Sequence, residues 1–211
     1  MNLANKLTLL RLALVPVFIT FTVIDNLWTR IFALFIFILA SITDLYDGYF
    51  ARKYGEVTDF GKFMDPLADK FLISAAFISF VDMKELNVPP WMVILIIGRE
   101  FLITGLRTLA ASKGVVIAAD RSGKFKTTSQ ISAIIAILLI LCVNSYLDHF
   151  YNIRAGSLLQ MSGRPYVIGS LLFGTSYWLV FVTTILTLAS GLSYLYKNRH
   201  ILSQEIARIR P

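Results

Sequence analysis

Four aspartates, Asp44, Asp47, Asp65 and Asp69, fall within the stretch "DLYDGYFARKYGEVTDFGKFMDPLAD" at residues 44–69. Carboxylates three or four residues apart on a helix share a face, and two on one face can grip one cation together. If a helix entering this stretch continues past Thr43, then Asp44, Asp47, Gly48 and Ala51 form one stripe with Arg52 at its edge. Gly48 and Ala51 leave that stripe almost bare, so a flat or bulky ligand can approach the backbone. Gly61, Asp65 and Asp69 repeat the logic at intervals of four. Pro66 opens an alternative, because proline favours the first turn of a helix and disfavours helix in the residue before it. Asp65 is then expected to cap a helix, with Asp69 one turn inside.

Four carboxylates gathered this closely repel one another unless something neutralises them. All-oxygen ligand sets favour hard divalent cations, Mg²⁺ first and Mn²⁺ or Ca²⁺ next. The stretch contains no His or Cys, which argues against zinc. A pair of hard cations can clamp the attacking and leaving oxygens of a phosphoryl displacement. The competing reading is a solvated charge run in which the aspartates pair with Arg52, Lys53, Lys62 and Lys70. It accounts for the charges but not for glycines at helical spacing beside them.

The elements that must position these residues are apolar. The chain of 211 residues is 56% hydrophobic, above the roughly 45–50% of soluble domains. A single membrane domain over residues 1–211 is the expectation. Apolar stretches run over about 7–24, 28–43, 89–111, 129–147 and 170–196, with a shorter one near 66–82 that begins in charge. A span needs roughly 20 mostly apolar residues, with latitude for polar ends buried in a bundle. The predicted fold is therefore an all-α membrane protein of six transmembrane helices.

Lys and Arg accumulate on the cytoplasmic side of short loops. With six spans, Lys6, Arg52, Lys53, Lys62, Lys113, Arg121, Lys124, Lys126, Lys197, Arg199, Arg208 and Arg210 share one side. Arg30, Lys84, Arg154 and Arg164 lie on the other, and twelve against four puts both termini and the aspartates in the cytoplasm. The net charge of +7 is thus mostly juxtamembrane, which argues for anionic lipid rather than nucleic acid as its counterpart. The N-terminus has no obvious small-residue cleavage site and is expected to be a retained first helix. Cys142, the single cysteine, excludes an intramolecular disulfide.

Three further segments carry charge where apolar residues are expected. In "GREFLITGLRT", Arg99 and Arg107 are eight apart, about 80° around a helix, so both can face one polar cavity. Glu100 and Arg107, seven apart, lie nearly one above the other. The competing reading of this segment is a buried ion-pair network that ties helices together. In "DRSGKFKTTSQ", Lys124 and Lys126 around a small turn, with Thr127 and Thr128 opening a helix and Arg121 adding a cation, suit a phosphate. In "NKLTLLRLALVPVF", Asn5, Thr8 and Arg11 are polar within the first apolar stretch, and Arg11 could equally snorkel to the interface.

Residues 44–69 read D-x2-D-G-x2-A-R-x8-G-x3-D-x3-D with all eight positions filled. This resembles the signature of the CDP-alcohol phosphatidyltransferases, integral membrane enzymes that move a phosphatidyl or similar group from a CDP-linked donor to an alcohol. The resemblance implies that Asp44, Asp47, Asp65 and Asp69 hold two divalent cations, Mg²⁺ or Mn²⁺, with Asp69 also the candidate base. It implies a pocket for the CDP-diacylglycerol donor lined by Gly48, Ala51 and Gly61, with Arg52, Asn5 and Thr8 beside it. The segments around Arg99 and Lys124, and the opening segment, are similar to those of bacterial family members that use sn-glycerol 3-phosphate. That likeness makes Arg99, Arg107, Arg121, Lys124, Lys126 and Thr127 candidates for binding the acceptor's phosphate; inositol phosphate would satisfy the same cations. It runs through most of residues 5–130, and the loop at 148–170 resembles nothing in particular. The resemblance further implies a homodimer in the bacterial cytoplasmic membrane. A divalent-cation transporter is the alternative of another class; it explains the carboxylates but neither the glycines nor the phosphate-suited cations.

Overall fold

The computed structural model describes residues 3–54, 59–83, 85–112, 121–153 and 164–199. Among these, side chains are described except at 3–5, 44–54, 59–66, 69, 109, 111–112, 121–122, 124, 164–168 and 171–173. The described residues form six helices and no strand: α1 (Leu3–Val23), α2 (Leu27–Tyr54), α3 (Asp59–Val81), α4 (Pro90–Ser112), α5 (Arg121–Tyr151) and α6 (Arg164–Lys197). Each of the six apolar stretches expected from the sequence falls within one of them, apart from single residues at the ends.

The helix ends follow local chemistry. Asn26 caps α2: its side-chain oxygen accepts the Trp28 N–H at 2.9 Å, and its carbonyl accepts the Arg30 N–H at 3.1 Å. Pro90 opens α4 at the position where a missing N–H costs nothing. Asn152 closes α5 in the left-handed conformation, φ 55°. The Ile153 N–H then reaches back to the Leu147 carbonyl at 3.3 Å, and that of Asn152 to Asp148 at 3.0 Å. This is the pairing that satisfies orphan carbonyls at a helix end.

The bundle closes on itself: α1 packs on α2 and α3, α2 on α5, α5 on α6, α6 on α4 and α4 on α3, with α3 also meeting α5 across the middle. Its core is built from Phe18, Phe37, Phe77, Phe80, Met92, Ile96, Ile134, Ile137, Leu138 and Leu141, all fully buried. Its outside is equally greasy, with Trp28, Phe35, Ile78, Ile94, Trp178 and Leu192 exposed. Three helical segments, Lys6–Val23, Phe125–Tyr151 and Gly174–Lys197, are long and apolar enough to cross a membrane; Leu27–Thr43 and Lys70–Val81 are shorter apolar segments. An apolar exterior on a bundle with an apolar core marks a membrane protein.

Two expectations about helix starts are overturned. α3 begins at Asp59 rather than at Pro66, so Asp65 is not its cap and Pro66 lies inside the helix. Proline forfeits one backbone hydrogen bond there, a loss that packed membrane helices tolerate. α5 begins at Arg121, so Lys124, Lys126 and Thr127 lie on its first two turns rather than on a turn preceding it.

Candidate active site

α2 runs without a break through Asp44, Asp47, Gly48, Ala51 and Arg52, and α3 contains Gly61, Asp65 and Asp69. Arg30 near the start of α2 pairs with Glu85, just beyond the end of α3, so the two helices run in opposite directions. Four residues, 55–58, link them. Asp44 therefore lies ten residues before the link's near end and Asp69 ten residues into α3, each about 15 Å along its helix at 1.5 Å per residue. Asp47 and Asp65 lie about 9–10 Å along. The hairpin thus sets two carboxylate-bearing positions on each helix at matched depth. The side chains of Asp44, Asp47, Gly48, Ala51, Arg52, Gly61, Asp65 and Asp69, like those of Asn5, Arg121 and Lys124, lie outside the described residues.

On α1, Thr8 and Arg11 are one turn apart and buried, Arg11 with 2% of its surface exposed. Arg11 therefore does not snorkel to the interface; its charge is held inside the bundle, on the helix that packs against both α2 and α3.

A polar cluster joins α4, α5 and α6. Glu100 is buried, and one of its oxygens, Oε1, accepts from three donors on two helices. They are Arg99 Nη1 at 3.3 Å, Gln130 Nε2 at 3.4 Å, and the Lys126 ammonium. Arg99 also donates from Nη2 to Ser190 Oγ on α6 at 3.0 Å, and Gln130 donates from Nε2 to Thr187 Oγ1, also on α6, at 3.3 Å. Lys126 is buried and lies within electrostatic reach of Arg99 and of Lys70, the residue after Asp69 on α3. The cluster therefore lies near the Asp69 position on α3, which packs against α5. Among the described side chains two largely buried cations share one carboxylate, leaving one positive charge in excess, which suits an anionic ligand.

The acceptor candidates are thus brought together only in part. Arg99 and Lys126 meet through Glu100, so the ion-pair network that ties helices together is also real. Arg107 is exposed on α4, and the ion pairs of Glu100 among the described residues run to Arg99 and Lys126 rather than to Arg107. Thr127 turns its hydroxyl back to the Gly123 carbonyl at 3.2 Å, spending it within the helix. The sequence reading missed Gln130, Thr187, Ser190 and Tyr194. The spacing of small and hydroxyl residues on α6 was the only signal that could have found the last three.

Known proteins resemble this chain in sequence. A family model for CDP-alcohol phosphatidyltransferase matches residues 1–184. A CDP-diacylglycerol–glycerol-3-phosphate 3-phosphatidyltransferase of Bacillus subtilis (strain 168) is 48% identical over 150 residues, covering 65% of this chain and 77% of that protein. A probable phosphatidylglycerophosphate synthase of Mycobacterium tuberculosis (strain ATCC 25618 / H37Rv) is 45% identical over 174 residues, covering 81% and 82%. A CDP-diacylglycerol–glycerol-3-phosphate 3-phosphatidyltransferase of Cereibacter sphaeroides is 31% identical over 223 residues, covering 97% and 98%. With the eight-position pattern laid along a helical hairpin and the family match extending over most of its length, the chain belongs to the CDP-alcohol phosphatidyltransferase family.

Proposed function

We propose that this protein transfers the phosphatidyl group of CDP-diacylglycerol to sn-glycerol 3-phosphate, giving phosphatidylglycerol phosphate and CMP. The observation that carries the reading is the complete eight-position pattern on the α2–α3 hairpin. The net-positive Arg99–Glu100–Lys126 cluster near Asp69, and the activities for which the relatives are named, support glycerol phosphate as the acceptor. The six helices form six spans with both termini in the cytoplasm, supported by the twelve-to-four bias of Lys and Arg. The active site then opens to the cytoplasmic leaflet of the bacterial inner membrane, where CDP-diacylglycerol keeps its acyl chains in lipid. A homodimer is the expected assembly.

The donor set of Asp44, Asp47, Asp65 and Asp69 is all-oxygen, acidic and matched in depth, which fits two hard divalent cations, Mg²⁺ or Mn²⁺. When bound there, such ions supply charge neutralisation for the pyrophosphate of the donor. Gly48, Ala51 and Gly61 leave space for the cytidine, and Arg52, with its fixed fork of donors, holds a phosphate; Asn5 and Thr8 on α1 flank the donor. Arg99, Arg107, Arg121, Lys124 and Lys126 hold the acceptor's phosphate, with Thr127 on the same turn. Asp69 takes the proton of the acceptor's primary hydroxyl as that oxygen attacks the diacylglycerol-linked phosphorus. The bond from that phosphorus to CMP breaks and CMP leaves with the electron pair. Most of the rate comes from positioning and charge stabilisation.

The test is CMP release from CDP-diacylglycerol by detergent-solubilised protein offered glycerol phosphate, inositol phosphate, inositol, serine and phosphatidylglycerol in turn. Glycerol phosphate should be used far best. Asp44→Asn and Asp65→Asn should each lower turnover by at least about a thousandfold while leaving a folded protein, since each removes a charge from a metal-dependent phosphoryl transfer. Turnover near wild type in either variant, or divalent-metal flux into sealed vesicles without CMP release, would sink the reading.

A further inference from the structure

The proposed acceptor site has residues assigned on α4 and α5, but α6 forms its remaining side. Thr187, Ser190, Gly191 and Tyr194 recur at intervals of three, four and seven from Thr187, so they occupy one stripe of α6. The contacts show that this stripe faces the cluster. Thr187 meets Gln130, Ser190 meets Arg99, and Tyr194 lies within electrostatic reach of both Arg99 and Arg107. Gly191 is where the Arg99 stem lies against the helix: a Cβ there would come within 2.9 Å of Arg99 Cγ and 3.2 Å of its Nε. Those are contacts with the near part of the side chain, so a methyl group could be admitted only by moving Arg99.

Two donors on this wall are left open. Tyr194 has 7% of its surface exposed, yet its hydroxyl has no hydrogen-bond partner among the described residues. The Arg99 Nε–H is likewise buried without one. A buried phenol normally finds a partner, and a guanidinium N–H can only donate. An open guanidinium donor and an open phenol, which can donate, beside a cluster with one excess positive charge among the described side chains suit a ligand that is an acceptor and an anion, which describes a phosphate oxygen. An apolar chain would leave both donors unsatisfied, and a cation would be repelled.

We propose that this stripe of α6 is the third wall of the acceptor site. Tyr194 donates its hydroxyl to the phosphate of the acceptor, and Ser190 and Gly191 position Arg99 for the same group. The proposal rests on the acceptor reading above and adds residues that lie beyond residue 184, where the family match ends. Tyr194 is thus a substrate-contacting residue, while Ser190 and Gly191 act through Arg99.

Initial rates of the full-length protein, with CDP-diacylglycerol and sn-glycerol 3-phosphate varied separately, test it. Tyr194→Phe removes one oxygen and should raise the acceptor KM roughly tenfold, the scale of a hydrogen bond to a charged group. The CDP-diacylglycerol KM should stay within about twofold, because the wall faces the acceptor alone. Gly191→Ala favours the helix and keeps every polar group, yet should raise the acceptor KM about fivefold by displacing Arg99. An unchanged acceptor KM in Tyr194→Phe, or equal rises for both substrates, would overturn the Tyr194 contact; an unchanged one in Gly191→Ala would overturn the positioning role. Arg99→Ala separates the two levels. If it leaves the acceptor KM at the wild-type value, the acceptor reading itself falls and the proposal with it. If it raises that KM while both α6 variants are silent, only the proposal falls.

Discussion

Arg30 on α2 and Arg99 on α4 each anchor a largely buried polar cluster, and their surroundings differ in a way that separates a clasp from a site. Arg30 is outnumbered by acceptors. Glu85 holds it through both guanidinium ends, Asp25 lies 3.0 Å from Nη2, and Nη1 donates to Ser145 Oγ at 2.8 Å and to the Leu141 carbonyl at 3.3 Å. Two carboxylates answer one cation. Among the described residues Arg99 is in the opposite position, sharing the single carboxylate of Glu100 with Lys126; each arginine keeps one buried Nε–H open, so that feature does not separate them. Both clusters join distant parts of the chain, so joining helices does not distinguish them. The sign of the leftover charge does: the Arg30 cluster has no use for an anion, whereas the Arg99 cluster is completed by one.

Between the two clusters, the largest expected consequence falls on Lys126. Replacing it with Ala removes one of two buried cations and leaves Glu100 to Arg99. The specificity constant for glycerol phosphate should fall on the order of a hundredfold, the upper range for a contact between charged groups. The CDP-diacylglycerol KM should hardly move. Steady-state kinetics with each substrate varied would show this, and a loss shared equally between substrates would make the cluster a clasp like the other. Arg30→Met is the reverse experiment. It should cost about 2 kcal/mol, between the values typical of exposed and of buried ion pairs, because Glu85 is partly exposed. Thermal unfolding in detergent should record that loss, while both KM values of the folded fraction stay within about twofold. A selective rise in the acceptor KM would break the comparison.

The difference between the two clusters was only partly legible in the sequence. The six helices were, because apolar runs of span length need no partner to be recognised. The aspartate pattern was legible for a similar reason: it is local, held within one helical hairpin, and its spacing is its geometry. Helix starts were less so. Pro66 reads as a first-turn residue, but α3 runs back through it to Asp59. The acceptor side was hardest, since its geometry is made between helices. Glu100 stands seven residues from Arg107 and invites a pairing along α4, yet its partners are Lys126 and Gln130, 26 and 30 residues away. Ser190, Gly191 and Tyr194 read as ordinary members of an apolar helix until α4 is laid beside them.

The smallest expected effect is the sharpest contrast, because the same atom is deleted in both places. Ser145 Oγ accepts from Arg30 and Ser190 Oγ accepts from Arg99, at 2.8 and 3.0 Å, and both serines are buried. Ser145→Ala and Ser190→Ala should each lower stability by about 1 kcal/mol, the ordinary worth of such a bond. Their kinetics should diverge. Arg30 keeps Glu85, Asp25 and the Leu141 carbonyl after Ser145 is truncated, so its position is still determined and neither KM should change. Among the described residues Arg99 keeps only Glu100, which it shares with Lys126 and Gln130, so Ser190→Ala should raise the acceptor KM about threefold through a guanidinium less firmly aimed. Matched unfolding and kinetic measurements on the pair would show whether charge excess, rather than burial or hydrogen bonding as such, is what makes one arginine cluster a binding wall and the other a fastening.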